Sequence, residues 1–147
     1  MHLMANKKNH SSHSFYIPRV HDDDRRKGTF DVFRTPKGDI NYSFIYPGAI
    51  AAWHRHKKQT DFWHVIRGSL KVGLYDEKLK KLTFVYLHDH DRKTLVIPPA
   101  IWHGWRNLDP TETILSYYIS EKYNQKDPDE DRAPVGAFGE SWETEEK

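Results

Sequence analysis

Residues 48–68, GAIAAWHRHKKQTDFWHVIRG, decide how this chain folds. A glycine stands at each end, and between them His54 and His56 lie two residues apart. Alternate side chains of a strand point to the same face, so both imidazoles share a face, and a following antiparallel strand can bring Asp61 beside them. This spacing predicts a small β-barrel with polar side chains gathered inside its mouth.

A second segment, PPAIWH at residues 98–103, adds a third histidine to this set. Its two prolines favour a rigid turn leading into another strand, which presents His103 near its start, with Asn107 four positions later. Two histidines on one strand, an acid on the next and a distant histidine make up the ligand inventory of a divalent metal site. The candidate metal ligands are His54, His56, Asp61 and His103.

Short runs of β-branched and aromatic residues, bounded by Gly, Pro, Asp or Asn, continue on both sides of these segments. About nine strands and no convincing amphipathic helix predict an all-β protein, an antiparallel barrel or jelly roll. Alternation places Leu70, Val72 and Leu74 on the core face, and Gly68-Ser69 is predicted to be a hairpin turn. The predicted strands are 29–34, 43–46, 50–56, 61–67, 70–75, 82–87, 94–97, 102–106 and 113–119.

The composition describes a globular domain. The chain has 147 residues, of which 14% are aromatic and 30% charged, and this length suits one domain with a full core. We expect residues 1–14 to be a disordered polar lead and residues 15–147 to form a single domain with a C-terminal tail. Residues 126–134 are predicted to be a charged surface segment.

Charge and hydropathy exclude several classes of partner. A net charge of +2 gives no reason to expect nucleic acid binding. The absence of cysteine fits a reducing cytoplasm, since the chain has no disulfide and no thiol chemistry. No apolar run approaches the ~18 residues of a membrane span, and the first residues lack the apolar core of a signal peptide. The sequence predicts a cytoplasmic protein without nucleic acid or membrane partners.

The two histidine segments resemble the paired motifs of the cupin superfamily: Gly, His-x-His, an acid and Gly, then Pro-x-Gly, His and Asn. Two positions depart from that pattern. Asp61 stands where cupins usually carry Glu, and Ala100 stands where they usually carry Gly. The shorter acid implies either a tighter site or one without a metal.

From about residue 15 to residue 143, the chain is more similar to dTDP-4-dehydrorhamnose 3,5-epimerase and the epimerase-like (RmlC-like) cupins around it. The matches are ordered along the whole domain. They are DRRKGTFDVFR at 24–34, GAIAAWH at 48–54, PPAIWHG at 98–104, the tyrosines Tyr117, Tyr118 and Tyr123, and FGESWE at 138–143.

The resemblance implies a double-stranded β-helix jelly roll and an isomerase of deoxysugar or polysaccharide biosynthesis. Its substrate would be a nucleotide-linked 4-keto-6-deoxy sugar, inverted at C3, C5 or both without a cofactor. His54 would be the base and Tyr117 the acid, although the neighbouring Tyr118 is almost as good a candidate.

The resemblance also implies a substrate-binding set and a homodimer. The early strand bearing Arg26 and Asp31 would exchange with the neighbouring subunit and reach its nucleotide site. The predicted substrate-binding residues are Arg26, Asp31, His56, Gln59, Asp61, His103 and Arg106.

Departures from the family keep two alternatives open. Ala51 and Asp61 replace an Arg and a Lys of the family's pocket, and residues 132–141, between Asp131 and Trp142, contain no Asp to orient His54. The first alternative is a metal-dependent cupin, an oxygenase, isomerase or lyase, that uses the four candidate ligands and leaves no free base. The second is a catalytically silent sugar-binding member.

Overall fold

The computed structural model describes residues 12–22, 27–30, 32–33 and 37–144. Within these ranges the chain forms strands and no helix, so no helix there could cross a membrane. The strands are β1 Ser14–Tyr16, β2 Arg19–Asp22, β3 Lys27–Phe30, β4 Asp39–Ile45, β5 Ile50–Arg55, β6 Asp61–Arg67, β7 Ser69–Asp76, β8 Lys81–His88, β9 Thr94–Ile97, β10 Trp102–Asn107, β11 Thr113–Ile119 and β12 Asp131–Arg132.

Most strands belong to two antiparallel five-stranded sheets. The first has the order β1-β9-β6-β11-β4 and the second the order β12-β5-β10-β7-β8, while β2 and β3 form a separate two-stranded sheet. The chain passes repeatedly from one large sheet to the other. This arrangement confirms the predicted all-β jelly roll.

Gly68 lies at one of these crossings, and the predicted hairpin turn there is wrong. β6 and β7 flank this glycine but belong to different sheets, and β7 pairs instead with β8 and β10. Gly68 has a φ of 92°, which favours glycine, and its amide donates to Asp89 Oδ2 at 2.8 Å. The glycine therefore redirects the chain between layers.

The main core lies between the two large sheets. Leu70, Val72 and Leu74 are fully buried, as the alternation of β7 predicts. They pack in one cluster with residues of the opposite sheet, including Trp63, Val65, Leu95, Ile97 and Leu115. This burial of apolar surface is the main force holding the two layers together.

A second aromatic cluster covers the outer face of the second sheet. Trp53, Trp102 and Trp142 are buried there, and Phe138 stacks on Tyr75. Gly73 makes room for the cluster, because a Cβ at this position would lie 2.5 Å from the Trp53 ring. The C-terminal segment is therefore part of the folded domain.

The C-terminal segment is also fixed by hydrogen bonds. The buried Lys71 ammonium donates to the carbonyls of Ser141 and Glu143 at 3.1 and 2.7 Å. Earlier in the segment, β12 pairs with β5, and residues 126–134 lie at the surface as predicted, with none of them fully buried. These residues form a wall of the domain.

Candidate functional site

A cavity of about 950 Å³ opens among strands of both large sheets. One wall comes from β5 and β10, another from β4, β6 and β11, and a third from residues 121–131. The polar side chains on its lining include Asn41, Ser43, His54, His56, Lys57, Lys58, Gln59, Asp61, His103, Tyr117, Lys122, Asp129, Glu130 and Asp131.

His54 lies on β5, where β12 on one side and β10 on the other fix its backbone. Its Nδ1 lies 2.6 Å from Glu130 Oε1. Burial alone would raise the pKa of Glu130, but hydrogen bonding by Arg132 and the charge of His54 hold it below its ordinary value. The ionised carboxylate favours a proton on Nδ1 and an unprotonated Nε2, but the two groups meet as an ion pair and not with the angles of a hydrogen bond.

Glu130 is a candidate site residue that sequence reasoning did not single out. It stands just before Asp131, and the following residues 132–141 lack the aspartate expected from the family. Its proximity to His54 depends on the pairing of Arg132 with His54 across β12 and β5. The acidic run at 127–131 was the available signal, but its composition suggested exposure.

His56 points to the same side as His54 but has different partners. Its Nδ1 donates to the Asp129 carbonyl at 2.5 Å, and the Asp129 carboxylate accepts from the amides of Lys57, Lys58 and Gln59 at 2.7, 2.9 and 3.1 Å. Burial opposes ionisation of Asp129, but these amides and His56 lower its pKa below the ordinary value. Asp129 thus fixes the loop after β5.

Asp61 is buried between two imidazoles. It accepts hydrogen bonds from Gln59 Nε2 at 2.6 Å and Trp63 Nε1 at 3.1 Å. Its two oxygens lie 3.7 Å from His56 Nε2 and 3.6 Å from His103 Nε2, beyond hydrogen-bond distance. Three of the four candidate metal ligands are therefore together, whereas His54 is outside this group.

His103 is held in one tautomer by its own strand. Its Nδ1 donates to the Ile101 carbonyl at 2.9 Å, which leaves Nε2 facing Asp61. Burial lowers the pKa of His103, and the Asp61 carboxylate only partly offsets this effect. The imidazole is therefore neutral at neutral pH, with no proton on the nitrogen that faces the cavity.

Tyr117 and Tyr118 occupy opposite faces of β11. Tyr117 lines the cavity, and the Ser43 hydroxyl donates to its phenol oxygen at 3.4 Å. Tyr118 is buried on the other face against the rings of Phe62 and Phe33. The geometry therefore gives Tyr117 access to a bound substrate and denies it to Tyr118.

The prediction that Arg106 binds substrate needs correction. It lies on β10 but outside the cavity, where it donates to the Trp142 carbonyl at 2.8 Å and pairs with Glu143 at 2.9 Å. Its side chain stabilises the C-terminal segment. Arg26 and Asp31 lie outside the described residues.

The arrangement provides two groups suited to proton transfer. His54, next to Glu130, offers an imidazole from the second sheet, and Tyr117 offers a phenol from the first. Both line the same cavity, whose volume exceeds that of a sugar ring. Such a pair can remove a proton from a carbon acid and return one from another direction.

Comparisons with known proteins place the chain among proteins of polysaccharide biosynthesis. The family model described as "Polysaccharide biosynthesis C-terminal domain" matches residues 21–130. The chain is 34% identical to the spore coat polysaccharide biosynthesis protein SpsL of Bacillus subtilis, covering 94% of this chain and 91% of that protein. It is 29% identical to the probable low-salt glycan biosynthesis epimerase Agl13 of Haloferax volcanii, covering 80% and 90%.

Solved structures share the fold. The crystal structure of a dTDP sugar isomerase from Desulfovibrio desulfuricans superposes with a TM-score of 0.76 at 24% identity, covering 88% of this chain and 90% of that one.

Proposed function

We propose that the chain, which belongs to the polysaccharide biosynthesis C-terminal domain family, is a sugar-nucleotide epimerase. Its RmlC-like cupin fold supports this proposal. Its substrate would be a nucleotide-linked 4-keto-6-deoxy sugar, inverted beside the ketone at C3, C5 or both. The observation that carries the proposal is the Glu130-oriented His54, which shares one cavity with Tyr117.

The reaction follows from the acidity of carbons next to a ketone. His54 Nε2 takes the proton from the carbon, and the electron pair of the broken C–H bond moves to form the enolate. Tyr117 then donates its phenolic proton to the opposite face of that carbon. Proton exchange with solvent returns the tyrosinate and the imidazolium to their starting states.

Glu130 acts on this reaction through His54. With the carboxylate on Nδ1, the proton that arrives at Nε2 creates an imidazolium next to an existing negative charge. This contact stabilises the ion pair formed as the C–H bond breaks and keeps the ring correctly oriented. Glu130 is therefore a positioning residue that supplies the role for which the sequence offered no aspartate.

The diphosphate of the substrate needs cationic partners at the cavity. Among the described residues, Lys57, Lys58 and Lys122 line it. Arg55 points to the outer face instead, where it pairs with Asp131 at 2.9 Å and lies over the Trp102 ring. We infer that the lysines form the phosphate-binding rim, together with Arg26 if the early strand of a neighbouring subunit reaches it.

A cytoplasmic location belongs to the same proposal and fits the lack of cysteine. A homodimer with exchange of the N-terminal strand belongs to it as well. The side chains of Ile40, Tyr42, Phe44 and Tyr46 alternate along β4 and beyond its end, and all four are more than half exposed. β4 is also an edge strand of its sheet. A free edge with an apolar face is a surface that a second copy can cover.

Product analysis tests the proposed activity. Purified protein is incubated with a panel of nucleotide-linked 4-keto-6-deoxy sugars, and the configuration at C3 and C5 is determined by NMR. We expect inversion beside the ketone for at least one member of the panel, and loss of product with Tyr117→Phe. Movement of the ketone to C3, or binding of every sugar without conversion, would contradict the proposal.

A further inference from the structure

The turn between β8 and β9 carries a second group of side chains of the metal-binding type. Its members are His88, Asp89 and His90, and none of these three residues lines the cavity. One donor atom from each of them lies within 4.8 Å of the others. We propose that this group binds one divalent transition-metal ion of the zinc type.

The distances within the group already fit a single ion. Asp89 Oδ1 lies 3.1 Å from His88 Nδ1 and 3.4 Å from His90 Nε2. The two rings stack on each other with their centroids 4.8 Å apart, so they approach the carboxylate side by side. Donors bound to one ion at about 2.1 Å lie about 3.0 to 3.5 Å apart. The loop therefore needs little movement to bind an ion.

Asp89 is fixed by the crossing between the two large sheets. Its Oδ2 accepts from the amide of Gly68 at 2.8 Å, and its own amide donates to the Gly68 carbonyl at 3.1 Å. The amide of Asp91 closes the turn by donating to the His88 carbonyl at 3.1 Å. These contacts leave Oδ1 of Asp89 directed at the two rings. The carboxylate is therefore oriented before any ligand arrives, which lowers the entropic cost of binding.

Oδ1 of Asp89 is shielded from solvent and accepts no hydrogen bond within the described part of the chain. His88 does not supply one, because its Nδ1 accepts from the amide of His90 at 3.1 Å and so carries no proton. A shielded carboxylate oxygen that faces a lone pair of an imidazole is unfavourable. A cation between them would satisfy both atoms, and the amide of His90, at an exposed position, would then donate to water.

The donor chemistry selects the class of ion. Imidazole nitrogens suit Zn²⁺, Co²⁺, Ni²⁺ and Cu²⁺, whereas Mg²⁺ and Ca²⁺ prefer oxygen ligands. The side chains of His88 and His90 are 45% and 87% exposed, so an ion can enter from solvent and keep water as a further ligand. A bound ion would join the end of β8 to the crossing at Gly68. It would stabilise the fold, because the unfolded chain does not hold these ligands together.

Zinc titration followed residue by residue tests the site. Untagged, isotope-labelled protein is treated with a chelator, dialysed and titrated with Zn²⁺ while proton–nitrogen correlation spectra are recorded. This resolution is needed because other histidines of the chain, including His56 and His103 in the cavity, can also take up zinc. We expect the amide signals of Gly68, Asp89 and His90 to shift together, with one shared dissociation constant.

Two variants remove one ligand each. Asp89→Asn keeps an oxygen for the amide of Gly68, and His90→Gln changes an exposed side chain, so both variants should fold. Each should weaken zinc binding at the loop at least about tenfold, measured from the signal of Gly68. Circular dichroism checks the fold of each variant.

Two further variants are matched controls. Asp91→Asn changes a carboxylate of the same turn that is outside the donor group, and His56→Gln removes an imidazole of the cavity. Both should keep the wild-type affinity of the loop for zinc.

The proposal is overturned if the loop signals do not respond to Zn²⁺, if either ligand variant keeps the wild-type affinity, or if either control variant loses it. The site goes beyond the epimerase proposal, so the two fail separately. His90→Gln should convert sugar at the wild-type rate, and a protein that converts its sugar while its loop ignores zinc would retain the epimerase assignment and lose this site.

Discussion

At the residue scale, His54 and His56 show how two identical side chains on one strand face acquire different partners. The sequence correctly predicts that they point the same way, because strand alternation alone determines this. Their partners come from the C-terminal segment, Glu130 for one and the Asp129 carbonyl for the other. The pairing of β12 with β5 is a long-range contact, which local pattern does not specify.

Substitution of Glu130 by Gln removes the charge next to His54 with little change in shape. We expect kcat of the epimerisation to fall about 10²-fold with a small change in KM, since the imidazolium forms mainly in the transition state. Steady-state kinetics measure this split. Glu77→Gln is the matched control, because Glu77 pairs with Arg55 outside the cavity. An equal loss in both variants would contradict the role of Glu130.

The lowered pKa of Glu130 also predicts a pH-dependent stability. Because the pKa is lower in the fold than the ordinary 4.5, the stabilising contribution is present above that value and is lost as pH falls through the folded pKa. Glu130→Gln should therefore reduce the free energy of unfolding by about 1 kcal/mol or less at pH 7, with a smaller difference near pH 3. Urea titrations at both pH values measure it, and a difference independent of pH would contradict the assignment.

At the element scale, short segments of the C-terminal part fasten the site. Strand positions in the two large sheets follow from alternation and β-propensity, so most predicted strands match observed ones within a few residues. The crossing at Gly68 was mistaken for a hairpin because the same turn residue serves both purposes. β12 was missed because two residues carry no periodic signal.

The loop after β5 depends on a single carboxylate. Asp129→Ala removes the acceptor of three backbone amides, so we expect it to lower the free energy of unfolding by about 1–3 kcal/mol. Chemical denaturation followed by tryptophan fluorescence measures the change. Asp91→Ala, at an exposed position in the β8–β9 turn, is the control and should change little. Equal stabilities of the two variants would show that the loop does not need Asp129.

At the scale of the whole molecule, the jelly roll and its polar mouth were predictable because two motifs fix which strands face each other. The outer surface was less predictable. An aromatic cluster under the C-terminal segment covers the second sheet, whereas the apolar face of β4 stays exposed on the first. Sequence alternation marks apolar positions but not which layer or subunit covers them.

The exposed β4 face predicts where a dimer forms. Replacing Tyr42 and Phe44 by Asp introduces charges at the centre of this face, so we expect the molecular mass in solution to fall to that of a monomer. Removal of residues 1–34 should have the same effect. Light scattering measures the mass. Tyr86→Asp, at a similarly exposed position on the other sheet, should leave it unchanged. A dimer that survives the paired substitution would contradict the proposed interface.

The most direct test of the central claim is the exchange of sugar C3 and C5 protons with deuterated water, followed by NMR or mass spectrometry. With a nucleotide-linked 4-keto-6-deoxy sugar, the wild-type protein should introduce deuterium at one or both carbons, and His54→Asn should slow this exchange at least about 10²-fold. Absence of enzyme-dependent exchange across the panel, or exchange that persists without His54, would contradict the assignment of His54 as the base.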